Sequence, residues 1–269
     1  MKSVRVLPGG FLDKGNSFMR RVFCNRKYSG YVWHFIFAGL FIGLSLLFAG
    51  FLKGSAWYAV SSALRLIFGT AILITASKLF GRSPKDILSM KNTGKALIAG
   101  AGFLLFFLYY MVTVASGIGK IAGLTTGLFV TKVILQQLTT GFYEELNYRF
   151  LLLEGIKHTK NNAGIRIGLV FLSSILFGLL HCATGWDTYR FLQTGAIGFA
   201  FAVIFVNSGN IVIPMLLHFL YDIIANMTDF IEWEHNVFFD NVSSVFEIAL
   251  VVMFVISLVT LIIGCKKKS

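Results

Sequence analysis

The stretch Gly141-Phe142-Tyr143-Glu144-Glu145-Leu146-Asn147-Tyr148-Arg149 places two adjacent carboxylates and a guanidinium inside a long apolar segment. Ionisable side chains at membrane depth are expensive, so they face a bundle interior and mark function. Further along, two more apolar segments carry His181 and then His218 with Asp222. A carboxylate pair and two histidines in so apolar a chain point to acid–base chemistry on a substrate within the bilayer.

The rest of the chain supports that setting. Of 269 residues, 56% are hydrophobic and only 13% charged, against about a quarter charged in soluble domains. Runs of roughly 20 apolar residues recur along its length, the mark of an all-α, polytopic membrane bundle. The 27 glycines suit close helix approach. About eight transmembrane helices are expected, near 31–52, 57–80, 96–118, 127–155, 167–187, 190–207, 211–228 and 245–264. Residues 1–30 form a basic cytoplasmic segment, 31–264 a single transmembrane domain with a catalytic core at 127–228, and 265–269 a basic tail. The first apolar run is about 20 residues long, beyond the roughly 7–15 of a signal peptide, and reads as a membrane anchor. Residues 81–95 fit either a short interfacial helix or an ordinary loop.

The net charge of +12 belongs to orientation rather than to nucleic acid. With the N-terminus inside, the inner side holds Lys2, Arg5, Lys14, Arg20, Arg21, Arg26, Lys27, Lys78, Arg82, Lys85, Lys91 and Lys95. It also holds Lys157, Lys160, Arg166, Lys266, Lys267 and Lys268, which makes 18. The outer loops hold three, Lys53, Lys120 and Arg190, and Arg65, Lys132 and Arg149 fall within spans. This asymmetry predicts cytoplasmic termini. The cysteines, Cys24, Cys182 and Cys265, are widely spaced and imply neither a disulfide framework nor a zinc ribbon. Cys182 reads as a small buried hydrophobe.

Within the constellation, Glu145 precedes Arg149 by four residues, the spacing and order of a helical ion pair. Adjacent helical residues point about 100° apart, which leaves Glu144 for chemistry. His181 could be a core histidine bonded to a backbone carbonyl. However, it mirrors Glu144 across a polar turn centred near residue 162, and both fall about 16 Å deep at 1.5 Å per residue. His218 and Asp222 share a helix face. They could bind a metal, orient an imidazole, stabilise an oxyanion or simply join helices.

Glu144-Glu145-x-x-x-Arg149, Phe177-x-x-x-His181 and His218-x-x-x-Asp222, in this order on successive apolar segments, resemble the CAAX-protease and bacteriocin-processing (Abi, or CPBP) family of intramembrane proteases. The resemblance implies an eight-helix membrane fold. It implies that Glu144 activates water assisted by His181, and that His218 and Asp222 hold an oxyanion or orient their neighbours. Members that process prenyl-proteins usually end the third motif in Asn, whereas Asp222 matches bacterial relatives, so a prenylated substrate is not implied. The expected enzyme hydrolyses a small hydrophobic or membrane-associated peptide, of leader, pheromone or bacteriocin-precursor type, in a bacterial cell membrane. No cofactor is expected, because His-Glu-x-x-His is absent from the sequence. The alternative is zinc held by Glu144, His181, His218 and Asp222. Two other readings compete with hydrolysis. One is a non-catalytic or immunity partner of another membrane protein, such as a sensor kinase. The other is a proton-coupled transporter, which should show repeated halves with broken helices.

Overall fold

The structure is a computed structural model that describes residues 22–158 and 162–266. The expected basic segment up to residue 21, Lys160, and the tail at Lys267 and Lys268 lie outside the described residues.

Each apolar run becomes a helix, and local chemistry sets its ends. Helix α1 (Ser29–Ala49) is followed by α2 (Gly54–Phe80). Gly81 closes α2 in the left-handed conformation (φ 65°), which glycine adopts without a Cβ clash. The chain then takes a single helical turn, Pro84–Ile87, within the stretch read as either a short interfacial helix or a loop. Ser83 caps that turn by accepting the Asp86 amide at 3.1 Å. The Ser83 hydroxyl also donates to the Asp86 carboxylate and holds it below the usual carboxylate range.

The third apolar run is bent. Helices α3 (Thr93–Ala99) and α4 (Ala101–Gly117) meet at 69° across Gly100, where a Cβ would lie 3.0 Å from Ile204 Cδ1. Next comes a composite helix, α5, over 126–151. It comprises an α turn (Thr126–Leu128), a π-helical stretch (Phe129–Leu135), an α segment (Gln136–Glu144) and a second π stretch (Glu145–Leu151). Asn162 caps α6 (Ala163–His181), accepting the Gly164 amide at 2.8 Å. Asp187 caps α7 (Thr188–Ser208), accepting the Arg190 amide. Helix α8 (Val212–Met227) and α9 (Phe246–Lys266) complete the bundle. Helix α7 is the central post, buried from Ile197 to Phe205 and packed against α3, α6 and α9.

Beyond the helices, strands β1 (Ile118–Ile121) and β2 (Ile231–Trp233) pair antiparallel. They set Lys120 opposite Glu232 and tie the loop after α4 to the segment after α8. Helix-period reasoning has no means of finding so short a ribbon.

Among the described residues, five helices (α1, α2, α6, α7 and α9) are long and apolar enough to cross a membrane, and the bent α3–α4 pair, taken as one span, makes six. The protein is therefore an all-α, multi-pass membrane protein. Helix α8 has 16 residues and rises about 24 Å, short of the roughly 30 Å hydrocarbon core. Helix α5 carries Lys132, Glu144, Glu145 and Arg149. Helices α5 and α8, which are not among those long apolar spans, carry Glu144, Glu145, His218 and Asp222.

Candidate active site

The site lies where α5 crosses α8. Glycine permits that crossing: a Cβ on Gly141 would sit 2.9 Å from the Met215 carbonyl oxygen on α8. One turn beyond Gly141, both glutamates reach His218. Glu145 Oε1 lies 2.9 Å from His218 Nδ1, and Glu144 Oε2 lies 3.8 Å from Nε2. Asp222 Oδ2 stands 3.3 Å from the same Nε2, one turn along α8. Glu145 thus contacts His218 as well as its expected partner Arg149, while Glu144 lies towards the other ring nitrogen. The imidazole presents its nitrogens on different sides, and the π-helical stretch starts at Glu145, so adjacent residues serve one ring. Single π turns are rare and gather at functional sites.

Glu145 has a second partner. Its Oε1 is 3.1 Å from Arg149 Nη1, and both side chains are fully buried. The Arg149 guanidinium sits 4.0 Å from the Phe177 ring centre and 5.7 Å from that of Phe201, so aromatic faces cover the buried cation. Ser173 on α6 donates to the Tyr148 carbonyl at 2.8 Å, which locks α6 against this stretch.

His181 is placed differently from the other three catalytic candidates. It ends α6, half-buried, with Nδ1 donating to the Phe177 carbonyl at 2.8 Å. Its ring lies 4.4 Å from Phe177, whose own ring is 6.0 Å from His218. Phe177 thus bridges the two histidines. Cys182 donates to the Asp187 carbonyl and takes no part.

The site grades from dry to open. Side-chain exposure is 0% for Glu145, 5% for His218, 12% for Glu144 and 18% for Asp222. Glu144 Oε2 is buried and accepts no hydrogen bond from the protein. A carboxylate oxygen held without a donor is suited to take a proton from water.

Two features escaped sequence reasoning. Arg65 on α2 is a charged group outside α5 and α8 whose electrostatic partners include Glu144, Tyr143 and Asp222. A lone arginine in an apolar span is itself a signal. The second feature is a polar chain behind the glutamates. His34 on α1 donates from Nδ1 to Asn147 Oδ1 at 3.1 Å, and Asn147 Nδ2 donates to the Tyr143 hydroxyl at 3.2 Å.

Among the described residues, no three His, Cys, Asp or Glu side chains form a group that could hold a metal ion. The reason is visible in the donors: His181 turns to its own helix, and both His218 nitrogens face carboxylates.

Taken together, fold and site define a multi-pass helical membrane protein with a buried carboxylate–histidine centre. Residues 125–224, which contain every residue of that centre except Arg65, match the family model described as Type II CAAX prenyl endopeptidase Rce1-like, a match consistent with the CAAX-protease family. No curated protein and no solved structure matches the chain.

Proposed function

We propose that the protein is an intramembrane endopeptidase that hydrolyses a peptide bond in a hydrophobic or membrane-associated peptide, with Glu144 as general base. The observation that carries this reading is the meeting of Glu144, Glu145, His218 and Asp222 within the segment that matches the CAAX-protease family. Glu144 Oε2 takes the proton of an attacking water. His181, whose Nδ1–H is committed to Phe177, presents Nε2 as an acceptor to help hold that water. Glu145 fixes the His218 ring through Nδ1, and Asp222 faces Nε2, so these two orient the imidazole beside the base. Glu144 then returns its proton to the leaving amine.

The substrate class proposed is a leader, pheromone or bacteriocin-precursor type peptide, and Asp222 in place of Asn gives no support for a prenylated one. The proposed setting is the bacterial cell membrane, with eight spans and both termini inside. It rests on the distribution of basic residues and on helices in all eight apolar segments. The reaction is proposed to need no metal, in line with the donor arrangement.

The test uses purified protein in nanodiscs and a hydrophobic leader peptide. Wild type cleaves at one bond. Glu144→Gln lowers turnover at least about 100-fold, as for a lost general base, with an unchanged thermal melt. Activity persists in strong chelator. Loss on chelation with restoration by zinc overturns the metal-free route. A folded wild type that cleaves no peptide but copurifies with a membrane protein leaves the non-catalytic partner.

A further inference from the structure

Peptide hydrolysis needs a donor for the oxyanion as well as a base, and the carboxylate–histidine centre is short of one. His218 aims both ring nitrogens at carboxylates, with Nδ1 on Glu145 at 2.9 Å and Nε2 towards Asp222 at 3.3 Å and Glu144 at 3.8 Å. His181 spends its Nδ1–H on the Phe177 carbonyl, and the neutral ring then offers only a lone pair at Nε2. The Arg149 nitrogens lack hydrogen-bond partners, but its guanidinium is already the counter-ion of Glu145 and is covered by two phenyl rings. Asp222 and the glutamates are acceptors when ionised.

Arg65 meets the need. It comes from α2, outside the matched segment 125–224. One turn further along α2, Gly69 lets the two backbones close up: a Cβ there would lie 2.6 Å from Phe142 Cδ1 and 3.5 Å from Tyr143 Cα. This crossing packs the Arg65 region of α2 against the Tyr143–Glu144 region of α5, and Arg65 interacts electrostatically with both residues. Its Nη1 is held by the Ser61 carbonyl and hydroxyl, and its Cζ stands 5.2 Å from the Phe41 ring centre, so the guanidinium is anchored from behind. Its Nε–H is buried and has no hydrogen-bond partner, and Glu144 Oε2 is likewise buried without a hydrogen-bond partner. The two charges are electrostatic neighbours, yet no carboxylate lies at ion-pair distance from Arg65 among the described residues. A collapsed Arg65–Glu144 pair would neutralise the base, whereas charges held apart can engage two ends of one reacting group.

Resting on the hydrolase reading, we infer that Arg65 is a catalytic residue that donates a hydrogen bond to the scissile carbonyl oxygen and stabilises the tetrahedral oxyanion. The water oxygen bonds to the carbonyl carbon as Glu144 takes its proton. The C=O π pair moves onto the oxygen held by Arg65. When that pair returns, the C–N bond breaks and the amine nitrogen takes the proton from Glu144. A fixed cationic donor in a dry site favours the charge that develops in the transition state over the ground-state carbonyl.

The test pairs kinetics with a phosphinic peptide, whose tetrahedral anion mimics the intermediate. In nanodiscs, Arg65→Gln is expected to lower kcat about 100-fold, the scale of a lost oxyanion donor, with KM within about threefold. Phosphinate affinity should fall by the same factor as kcat/KM, because both report transition-state binding. Arg65→Lys keeps charge and a donor, and should restore about tenfold of the loss in both measurements. If Arg65→Gln fails to fold, Arg65→Lys decides, through parallel losses in kcat and phosphinate affinity. A folded variant with kcat close to wild type, or with wild-type phosphinate affinity, overturns the role of Arg65 and leaves the hydrolase intact. A wild type that neither cleaves peptide nor binds phosphinate overturns both.

Discussion

Helices α5 and α9 are built on opposite principles. Helix α9 is the most uniformly apolar span, yet it buries only one stripe, Leu250, Met253, Ser257, Leu261 and Cys265, and shows Ile248 and Val251 outward at 63% and 60% exposure. From Tyr143 to Leu153, every residue of α5 and its continuation is buried, although Glu144, Glu145, Asn147 and Arg149 are among them. A helix facing lipid can be chemically simple, because hydrocarbon asks only for apolar surface and an internally bonded backbone. A helix facing protein can hold charges, provided its neighbours answer each one. Apolarity in this chain marks the wall, and polarity marks the interior.

The largest expected effect tests that division at its most buried cation. Arg149→Ala leaves Glu145 buried without its guanidinium, and should cost roughly 3–5 kcal/mol, the penalty for an unpaired buried charge. Folded yield in detergent should fall sharply, and the thermal melt with it. Glu145→Ala should do the same and also release His218 Nδ1. If Arg149→Ala melts like wild type, the interior charges are not held by their partners and the contrast with α9 fails.

A smaller effect is expected where α5 and α8 touch. Gly141→Ala pushes a methyl to within 2.9 Å of the Met215 carbonyl oxygen, which is backbone and cannot swing aside. The two helices must part slightly, costing about 1–3 kcal/mol in overpacking. Because Glu144 and Glu145 follow one turn later, their reach to His218 should lengthen as well. Activity should therefore drop more than the melt suggests, and a loss of stability alone would detach the crossing from the site.

How far the sequence disclosed this arrangement depends on what each feature leaves in a linear string. The apolar runs disclosed helices, since length and composition are local. The i, i+4 spacing of Glu145 and Arg149 placed both on one face, and the pair lies at 3.1 Å. Beyond that, non-local packing took over. The π stretch beginning at Glu145 has no propensity signature, so both glutamates meeting His218 was not legible. Gly141 and Gly69 determine which helices approach closely, but among 27 glycines nothing in the string separates them. Arg65 lies 79 positions before Glu144 and was visible only as an unexplained charge within a span. The ribbon from Ile118–Ile121 to Ile231–Trp233 joins segments more than 100 residues apart. The bend at Gly100 and the 16-residue α8 show why counting spans by length finds fewer than counting apolar segments.

The smallest expected effect lies on the wall itself. Val251 on α9 is 60% exposed on the outer face of an apolar span, so Val251→Ala removes two methyl groups from a surface that acyl chains should refill. Lipid tails are as apolar as the side chain they replace, and no hydrophobic drive between helix and solvent is lost. The change should stay within about 0.5 kcal/mol, the range of a substitution away from any packed feature, as read by thermal melts in nanodiscs. Val251 also lines an apolar groove between α6, α7 and α9, with Phe171, Ile175, Phe199 and Phe254. If that groove merely faces bilayer lipid, peptide cleavage should be as insensitive as the melt. A melt shift above 1 kcal/mol would mean that Val251 is packed against protein, and the wall and interior would no longer separate along α9.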